Sequence, residues 1–148
     1  MKKKIISFIP YIVHFIAIFF NINVTIQGGP ATALNIAISV GYIAFWLYYA
    51  KQSITALHER KIILLLILWG AVFFTAFLAM IVHLFEVNWI FIIPFTIIFL
   101  TPLYGLRGII PYQSYTGLFV SILILSVTLF CGAILFRHKQ KTWNRPNR

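Results

Sequence analysis

The stretch IILLLILWGAVFFTAFLAMIVHL at residues 62–84 contains no Asp, Glu, Lys or Arg. A helix of about 20 apolar residues is long enough to cross the hydrocarbon core of a bilayer, which is about 30 Å thick. Three further stretches have a similar length and composition, at residues 5–26, 31–50 and 115–136. Backbone polar groups cannot stay unpaired in lipid, and these stretches lack the alternation of barrel strands. Each stretch is therefore predicted to be a transmembrane helix.

The composition of the whole chain is that of an integral membrane protein. Soluble domains are about 45–50% apolar and about 25% charged, whereas this chain is 61% hydrophobic and 9% charged, with a mean hydropathy of +0.96. The loops between the apolar stretches are too short to form a separate soluble domain. We therefore expect an all-α, multi-pass transmembrane helical bundle as a single domain at residues 1–136, followed by a basic, disordered tail at residues 137–148.

A fifth apolar stretch, at residues 89–106, is close to the minimum length for a span and is interrupted by Pro94 and Pro102. Proline removes a backbone donor and clashes with the preceding helical turn, so a break is expected here. The stretch either crosses the membrane or enters it and returns to the same side. Non-helical backbone at membrane depth is tolerated only where protein or a water-filled cavity covers it. A re-entrant segment would therefore pack against the other four helices.

The positions of the basic residues bear on these two alternatives, because Lys and Arg collect on the cytoplasmic side of transmembrane helices. With five crossings and a cytoplasmic N-terminus, seven of the 12 basic residues lie inside and the five of the tail lie outside. With four crossings, 11 lie inside and only Arg107 lies outside. The charge count favours four crossings and the hydropathy of the fifth stretch favours five, so the sequence leaves both open. Both place the loop at residues 51–61 in the cytoplasm.

Aromatic residues near the predicted helix ends are typical of an interfacial belt, in which amphipathic rings lie at the level of the lipid headgroups. A cage that stacks on a ligand is the less favoured interpretation for Trp46 and Tyr49. We expect the belt to contain Trp46, Tyr48, Tyr49, Trp89, Tyr112 and Tyr115.

Polar residues inside the predicted helices are the first candidates for function, because a polar group in lipid is costly. Two of the four histidines, His14 and His83, lie in the predicted helices, together with Asn21, Asn35 and Ser39. A shared haem or metal is disfavoured, because His14 is predicted about 15 Å from the cytoplasmic end of the bundle and His83 about 30 Å from it. We therefore predict no catalytic, cofactor-binding or metal-binding residues, and keep His14 and His83 as functional candidates.

Arg107 is the most suggestive single residue, because it lies in a glycine-rich turn where a guanidinium can meet an anion. Contact with a phosphate or lipid headgroup is the functional interpretation, and a loop charge that fixes the topology is the more ordinary one. Glu86 is one of only two acidic residues, both of which lie in predicted loops. In a re-entrant arrangement Arg107 and Glu86 would share the outer face and be able to pair, whereas five crossings would separate them.

The sequence contains no nucleophile constellation, metal-ligand cluster or phosphate loop, so we expect no enzymatic activity. We expect a small accessory or protective protein that contacts another membrane protein or lipid, including anionic headgroups near its basic segments. A transporter or channel subunit is the alternative, with the broken fifth stretch as its pathway, and a haem-binding or lipid-modifying protein is the third. The net charge of +10 is spread over termini and loops, so nucleic acid is not an expected partner. Small size and Ile-, Phe-, Lys- and Asn-rich composition favour a bacterial cytoplasmic membrane.

Overall fold

The computed structural model describes residues 2–55, 59–86, 90–110 and 114–143, and it confirms the all-α prediction because these residues contain no strand. A 3₁₀ turn at Ile90–Ile92 precedes α4, and a 3₁₀ helix at Thr101–Ile109 follows it. The five α-helices are α1 (Lys2–Gln27), α2 (Ala33–Thr55), α3 (Glu59–Phe85), α4 (Ile93–Phe99) and α5 (Tyr115–Trp143).

Four of these helices, α1, α2, α3 and α5, are long and apolar enough to cross a membrane. Their bounds differ from the predicted ones mainly at the end of α5, which continues through Trp143. The predicted tail at residues 137–148 is therefore helical as far as residue 143, and residues 144–148 lie outside the described residues. The physical reason is that residues 137–143 contain Arg, Lys and Gln, which favour helix, and neither Gly nor Pro.

The long helices alternate in direction. On α3 and α5, residues in contact have numbers that add to a nearly constant sum, as in antiparallel helices. The rings of His83 and Tyr115 are 5.8 Å apart, and a Cβ built on Gly70 would lie 3.4 Å from Phe130. The same holds for α1 and α2, where a nitrogen of His14 lies 2.7 Å from the hydroxyl of Tyr42 and the side chains of Asn21 and Asn35 bond over 2.9 Å. α1 and α2 are therefore antiparallel to each other, and so are α3 and α5.

The segment between α3 and α5, here called the broken segment, consists of Ile90–Phe99 and Thr101–Ile109, which meet at an angle of 79°. Pro94 lies in the first turn of α4 and Pro102 in the first turn of the 3₁₀ helix at Thr101–Ile109, where a missing N–H costs no hydrogen bond. The segment starts where α3 ends, because Ile92 and His83 line one cavity. It finishes at the same end of the bundle, where Arg107 contacts Gly28 just after α1. The geometry is that of a re-entrant segment.

The two ends of the bundle differ in charge. The end that carries Gly28, Phe85 and Tyr115 is here called the outer end, and Arg107 is the only Lys or Arg that the described residues place there. The opposite, inner end carries the start of α1, the end of α2, the start of α3 and the end of α5, with the remaining described basic residues. This is the division that the four-crossing model requires, and the positive-inside rule then predicts that the inner end is cytoplasmic.

The prediction that Trp46 anchors the protein at the interface was wrong. Its side chain is only 2% exposed, and its ring packs edge-on against Tyr42, Phe45 and Tyr49 inside the bundle. A position near a helix end does not decide which side of the helix a ring occupies, and here the ring lies in the buried core of the bundle rather than at its surface. Tyr48 is exposed as expected of a belt residue, while Trp89 and Tyr112 lie outside the described residues.

Candidate functional site

Three polar side chains of the predicted transmembrane helices meet in one hydrogen-bonded group, here called the central network. Asn21 of α1 and Ser39 of α2 both donate to the carbonyl of Pro102, over 3.3 and 2.8 Å. Ser39 also accepts a bond of 3.0 Å from the backbone N–H of Gly105. Asn35 donates to the side-chain oxygen of Asn21 over 2.9 Å. The network therefore satisfies backbone groups that the broken segment cannot pair within a helix.

Asn35 has a second role at the start of α2. Its side-chain oxygen accepts from the backbone N–H and the hydroxyl of Thr32, over 2.9 and 2.6 Å. The backbone N–H of Asn35 lies 3.4 Å from the Thr32 hydroxyl in return. This is a capping box in which Asn replaces the usual Glu or Gln. One amide thus joins the N-terminus of α2 to the central network.

Gly105 lets the 3₁₀ helix approach α2 closely. A Cβ at this position would overlap the backbone carbonyl of Asn35 and lie 2.6 Å from the Ser39 hydroxyl. The central network is only possible at this separation, because Ser39 must reach both Pro102 and Gly105. The buried network fills the space between α1, α2 and the broken segment: Asn21 and Ser39 are 0% exposed and Asn35 is 3% exposed.

A second polar group, here called the outer cluster, consists of Arg107, Tyr104 and Tyr115 with the carbonyls of Gly28 and Gly29. One terminal nitrogen of Arg107 donates to both carbonyls, over 3.0 and 3.2 Å, and to the Tyr104 hydroxyl over 2.6 Å. The guanidinium carbon lies 3.8 Å above the centre of the Tyr115 ring, a cation–π contact. Tyr104 donates to Gly29, and Tyr115 to Gly28.

The outer cluster lies at the C-terminal end of α1, and this explains why a cation is bound there. Gly28 follows the last residue of α1 and has φ of 65°, the left-handed conformation that commonly ends a helix. The carbonyls at a helix C-terminus lack intrahelical partners and carry partial negative charge. Arg107 thus joins the end of the broken segment to the end of α1. Contact of Arg107 with a phosphate or lipid headgroup stays a prediction.

Beside the outer cluster lies a wide, open depression of about 550 Å³, here called the outer cavity. It is bounded by α3, α5 and the first half of the broken segment, and His83 and Glu86 at its rim are exposed. Tyr115 separates the cavity from Arg107, since its ring contacts both. The lining residues are Ala79, Val82, His83, Glu86, Ile92, Thr96, Tyr115 and Phe119.

The two candidate histidines lie in different surroundings. His14 bonds to Tyr42 between α1 and α2, whereas the ring of His83 lies 5.8 Å from that of Tyr115 and 6.0 Å from that of Phe119. Within the described part of the chain, no group of three or more His, Cys, Asp or Glu side chains is close enough to hold a metal ion. His83 and Glu86, in contrast, share the outer cavity. The structure thus brings together two of the four candidates and places Arg107 behind Tyr115.

The roles of Tyr104 and Tyr115 do not follow from the sequence pattern. The pattern does not single out Tyr104 and predicts Tyr115 in the interfacial belt, but the two hydroxyls lie 3.3 Å apart in the outer cluster. The available signal was the spacing of Tyr104 and Arg107, which puts them one 3₁₀ turn apart on one face. Comparison of the chain with protein-family models, curated proteins and solved structures found no match.

Proposed function

We propose that this chain is a non-enzymatic accessory protein of a bacterial cytoplasmic membrane that binds an amphiphilic lipid of the outer leaflet in the outer cavity. The observation that carries the proposal is the cavity itself. Its volume of about 550 Å³ lies in the range of about 300–1,000 Å³ that ligand pockets occupy. Such pockets combine a mainly apolar lining with a few polar groups that orient the ligand, as this one does.

The lining divides into an apolar side and a polar side. Ala79, Val82 and Phe119 offer contacts for an acyl chain, while the carboxylate of Glu86 and the ring of His83 lie at the exposed rim. A carboxylate accepts hydrogen bonds and attracts positive charge. The headgroup that fits best is therefore one that donates hydrogen bonds and carries an ammonium group.

The backbone of Glu86 supports a role for its side chain. Glu86 directly follows α3 and has φ of 52°, where Gly or Asn is the usual residue. A residue with a Cβ costs about 1–2 kcal/mol in this conformation. A strained residue at the rim of a cavity supports the hypothesis that its side chain has a function there. The non-enzymatic part of the proposal rests on the sequence, which has only two acidic residues: Glu59 begins α3 and Glu86 follows its end, so the two residues belong to opposite ends of the bundle.

The test is lipid retention by the purified protein, measured by native mass spectrometry with phosphatidylethanolamine and phosphatidylcholine of identical acyl chains. The ethanolamine head donates hydrogen bonds and the choline head does not, so wild type should retain the former preferentially. Val82→Trp should abolish retention by filling the cavity, and Glu86→Gln should remove the preference between heads. Val120→Trp adds the same bulk on the exposed side of α5 and should change neither. Equal retention by the two tryptophan variants would refute the proposal.

A transporter or channel subunit is the second candidate, because discontinuous segments at membrane depth mark the binding sites of many transporters. The broken segment, with its 79° bend, is such a feature. The buried and mutually bonded central network fills the inner side of that segment, which favours the binding protein over the transporter. Ion or solute flux into proteoliposomes above that of empty vesicles, lost on Gly105→Ala, would reverse this preference.

A further inference from the structure

A second cavity, here called the inner cavity, lies at the opposite end of the bundle and has a volume of about 290 Å³. Three helices form it: α1 contributes Tyr11, α2 contributes Tyr49, and the first three turns of α3 contribute the rest. Tyr11 and Tyr49 lie near the inner ends of the apolar spans Phe8–Gln27 and Ala33–Ser53. The cavity is therefore at headgroup depth. Its lining residues are Tyr11, Tyr49, Arg60, Lys61, Ile63, Leu64 and Ile67.

The polar side of the inner cavity is suited to an anion. Arg60 and Lys61 supply two positive charges, and none of the seven lining residues is acidic. The ammonium of Lys61 lies 5.7 Å from the centre of the Tyr49 ring, and that ring is itself fixed by contacts with Phe45 and Trp46. Both cations belong to the first turn of α3, whose N-terminal dipole end also favours negative charge.

The apolar side of the inner cavity distinguishes a lipid from a free anion. Ile63 and Ile67 lie one helical turn apart on α3 and are 38% and 65% exposed. They extend from the two cations towards the middle of the membrane, in the direction that an acyl chain takes below its headgroup. Basic pockets between transmembrane helices on the cytoplasmic side are known to bind acidic lipid headgroups.

From this arrangement we propose that the inner cavity binds an anionic phospholipid of the inner leaflet, with its phosphate between Arg60, Lys61 and the two tyrosine hydroxyls. One acyl chain lies along Ile63 and Ile67. The site is separate from the outer cavity, prefers the opposite headgroup charge, and is independent of the proposed function. It also differs from the attraction of the basic α5 terminus to a charged surface, because it requires a defined position between three helices.

The experiment titrates the full-length protein in micelles with phosphatidylglycerol and phosphatidylcholine of identical acyl chains, and counts bound lipid by native mass spectrometry. Wild type should prefer phosphatidylglycerol. The double variant Arg60→Gln/Lys61→Gln should reduce that preference about 30-fold, as expected for two lost cations. The double variant Lys139→Gln/Lys141→Gln removes the same charge from the end of α5 and should keep it. Lys61→Gln alone should give an intermediate loss, which provides a readout if the double variant does not fold.

Three outcomes would overturn the inference. Wild type without a preference would mean that the cavity has no selective site. An equal loss in the α5 control would mean that total charge, rather than the inner cavity, attracts the lipid. Displacement of phosphatidylglycerol by millimolar inorganic phosphate would identify a free anion as the ligand and exclude the lipid assignment.

Discussion

α3 and α5 meet along two continuous helices, whereas α1 and α2 meet a segment whose backbone leaves the helix. In the half of the bundle that α3 and α5 form, the buried side chains are mainly apolar, and the buried hydroxyl of Ser126 bonds to carbonyls of its own helix. In the half that α1, α2 and the broken segment form, Asn21, Asn35 and Ser39 bond across all three of these elements. A continuous helix pairs its own backbone, so apolar packing is sufficient there. A broken backbone needs polar partners from its neighbours.

The largest effect is expected in a test of the direction of α5. The contrast between the two halves of the bundle applies only if the broken segment does not cross the membrane. A fluorescent reporter and a phosphatase reporter fused in turn after Arg148 should reveal a cytoplasmic C-terminus. The same reporters inserted at Gly29, between α1 and α2, should reveal the outer side. A phosphatase-active fusion after Arg148 would mean five crossings and would remove the re-entrant arrangement.

Among substitutions in the half that α1, α2 and the broken segment form, Gly105→Ala should cause the largest loss of stability. The new Cβ overlaps the Asn35 backbone and approaches Ser39, so α2 and the 3₁₀ helix must separate. Overpacking of this kind costs about 1–3 kcal/mol or more, and the hydrogen bonds of the central network are lost in addition. Unfolding in mixed micelles measures the change.

Gly41→Ala is the matched control, because its Cβ would meet no atom within 4 Å. Gly41 lies inside α2, so Ala should stabilise the helix by about 0.5–1 kcal/mol. If both variants changed the free energy of unfolding equally, the close approach at Gly105 would not matter.

Asn21→Leu should be the next largest effect, with a loss of about 1–2 kcal/mol. The substitution keeps the size of the side chain but leaves Asn35 and the Pro102 carbonyl each without one partner. Asn23→Leu is the control, since Asn23 lies two residues further along α1 and is exposed. Leucine at that position should be neutral or stabilising in lipid. The same unfolding measurement applies, and a larger loss for Asn23→Leu would contradict the central network.

The parts of this architecture that sequence can predict are those that depend on composition and length. The four spans follow from apolar length, and the position of Arg107 alone against 11 other basic residues favours re-entry. The contact of Asn21 with Pro102 does not follow, because it depends on the rotation of α1 about its axis. The assignment of Trp46 to the interfacial belt was wrong for a similar reason, because it depends on the rotation of α2 about its axis. The role of Arg107 depends on where α1 ends in space, which no local pattern encodes.

Thr101→Val should raise stability, whereas Asn21→Leu should lower it. Thr101 is fully buried, and its hydroxyl is one of three described side-chain polar groups that are buried without a partner. Valine has nearly the same shape and removes the desolvation cost of the hydroxyl, so stability should rise by about 1 kcal/mol. Ser39→Ala, which removes a bonded hydroxyl from the same half, should lower stability. A loss of stability in Thr101→Val would show that the hydroxyl has a bound partner such as water.

The smallest effect is expected at the outer end, where two long helices stop in the same backbone conformation with different residues. α1 is followed by Gly28 with φ of 65°, and α3 by Glu86 with φ of 52°. Glu86→Gly should therefore raise stability by about 1 kcal/mol or less, because relief of the strain of about 1–2 kcal/mol is partly offset by the larger conformational entropy that glycine loses on folding. Glu86→Gln keeps the strain and should leave stability unchanged. Both variants remove the carboxylate, so both should lose the preference for an ammonium headgroup. A variant that is more stable and yet binds less would mean that Glu86 is retained for the outer cavity and not for the fold. Equal stability of the two variants would remove the strain argument and leave the cavity geometry as the only support for its role.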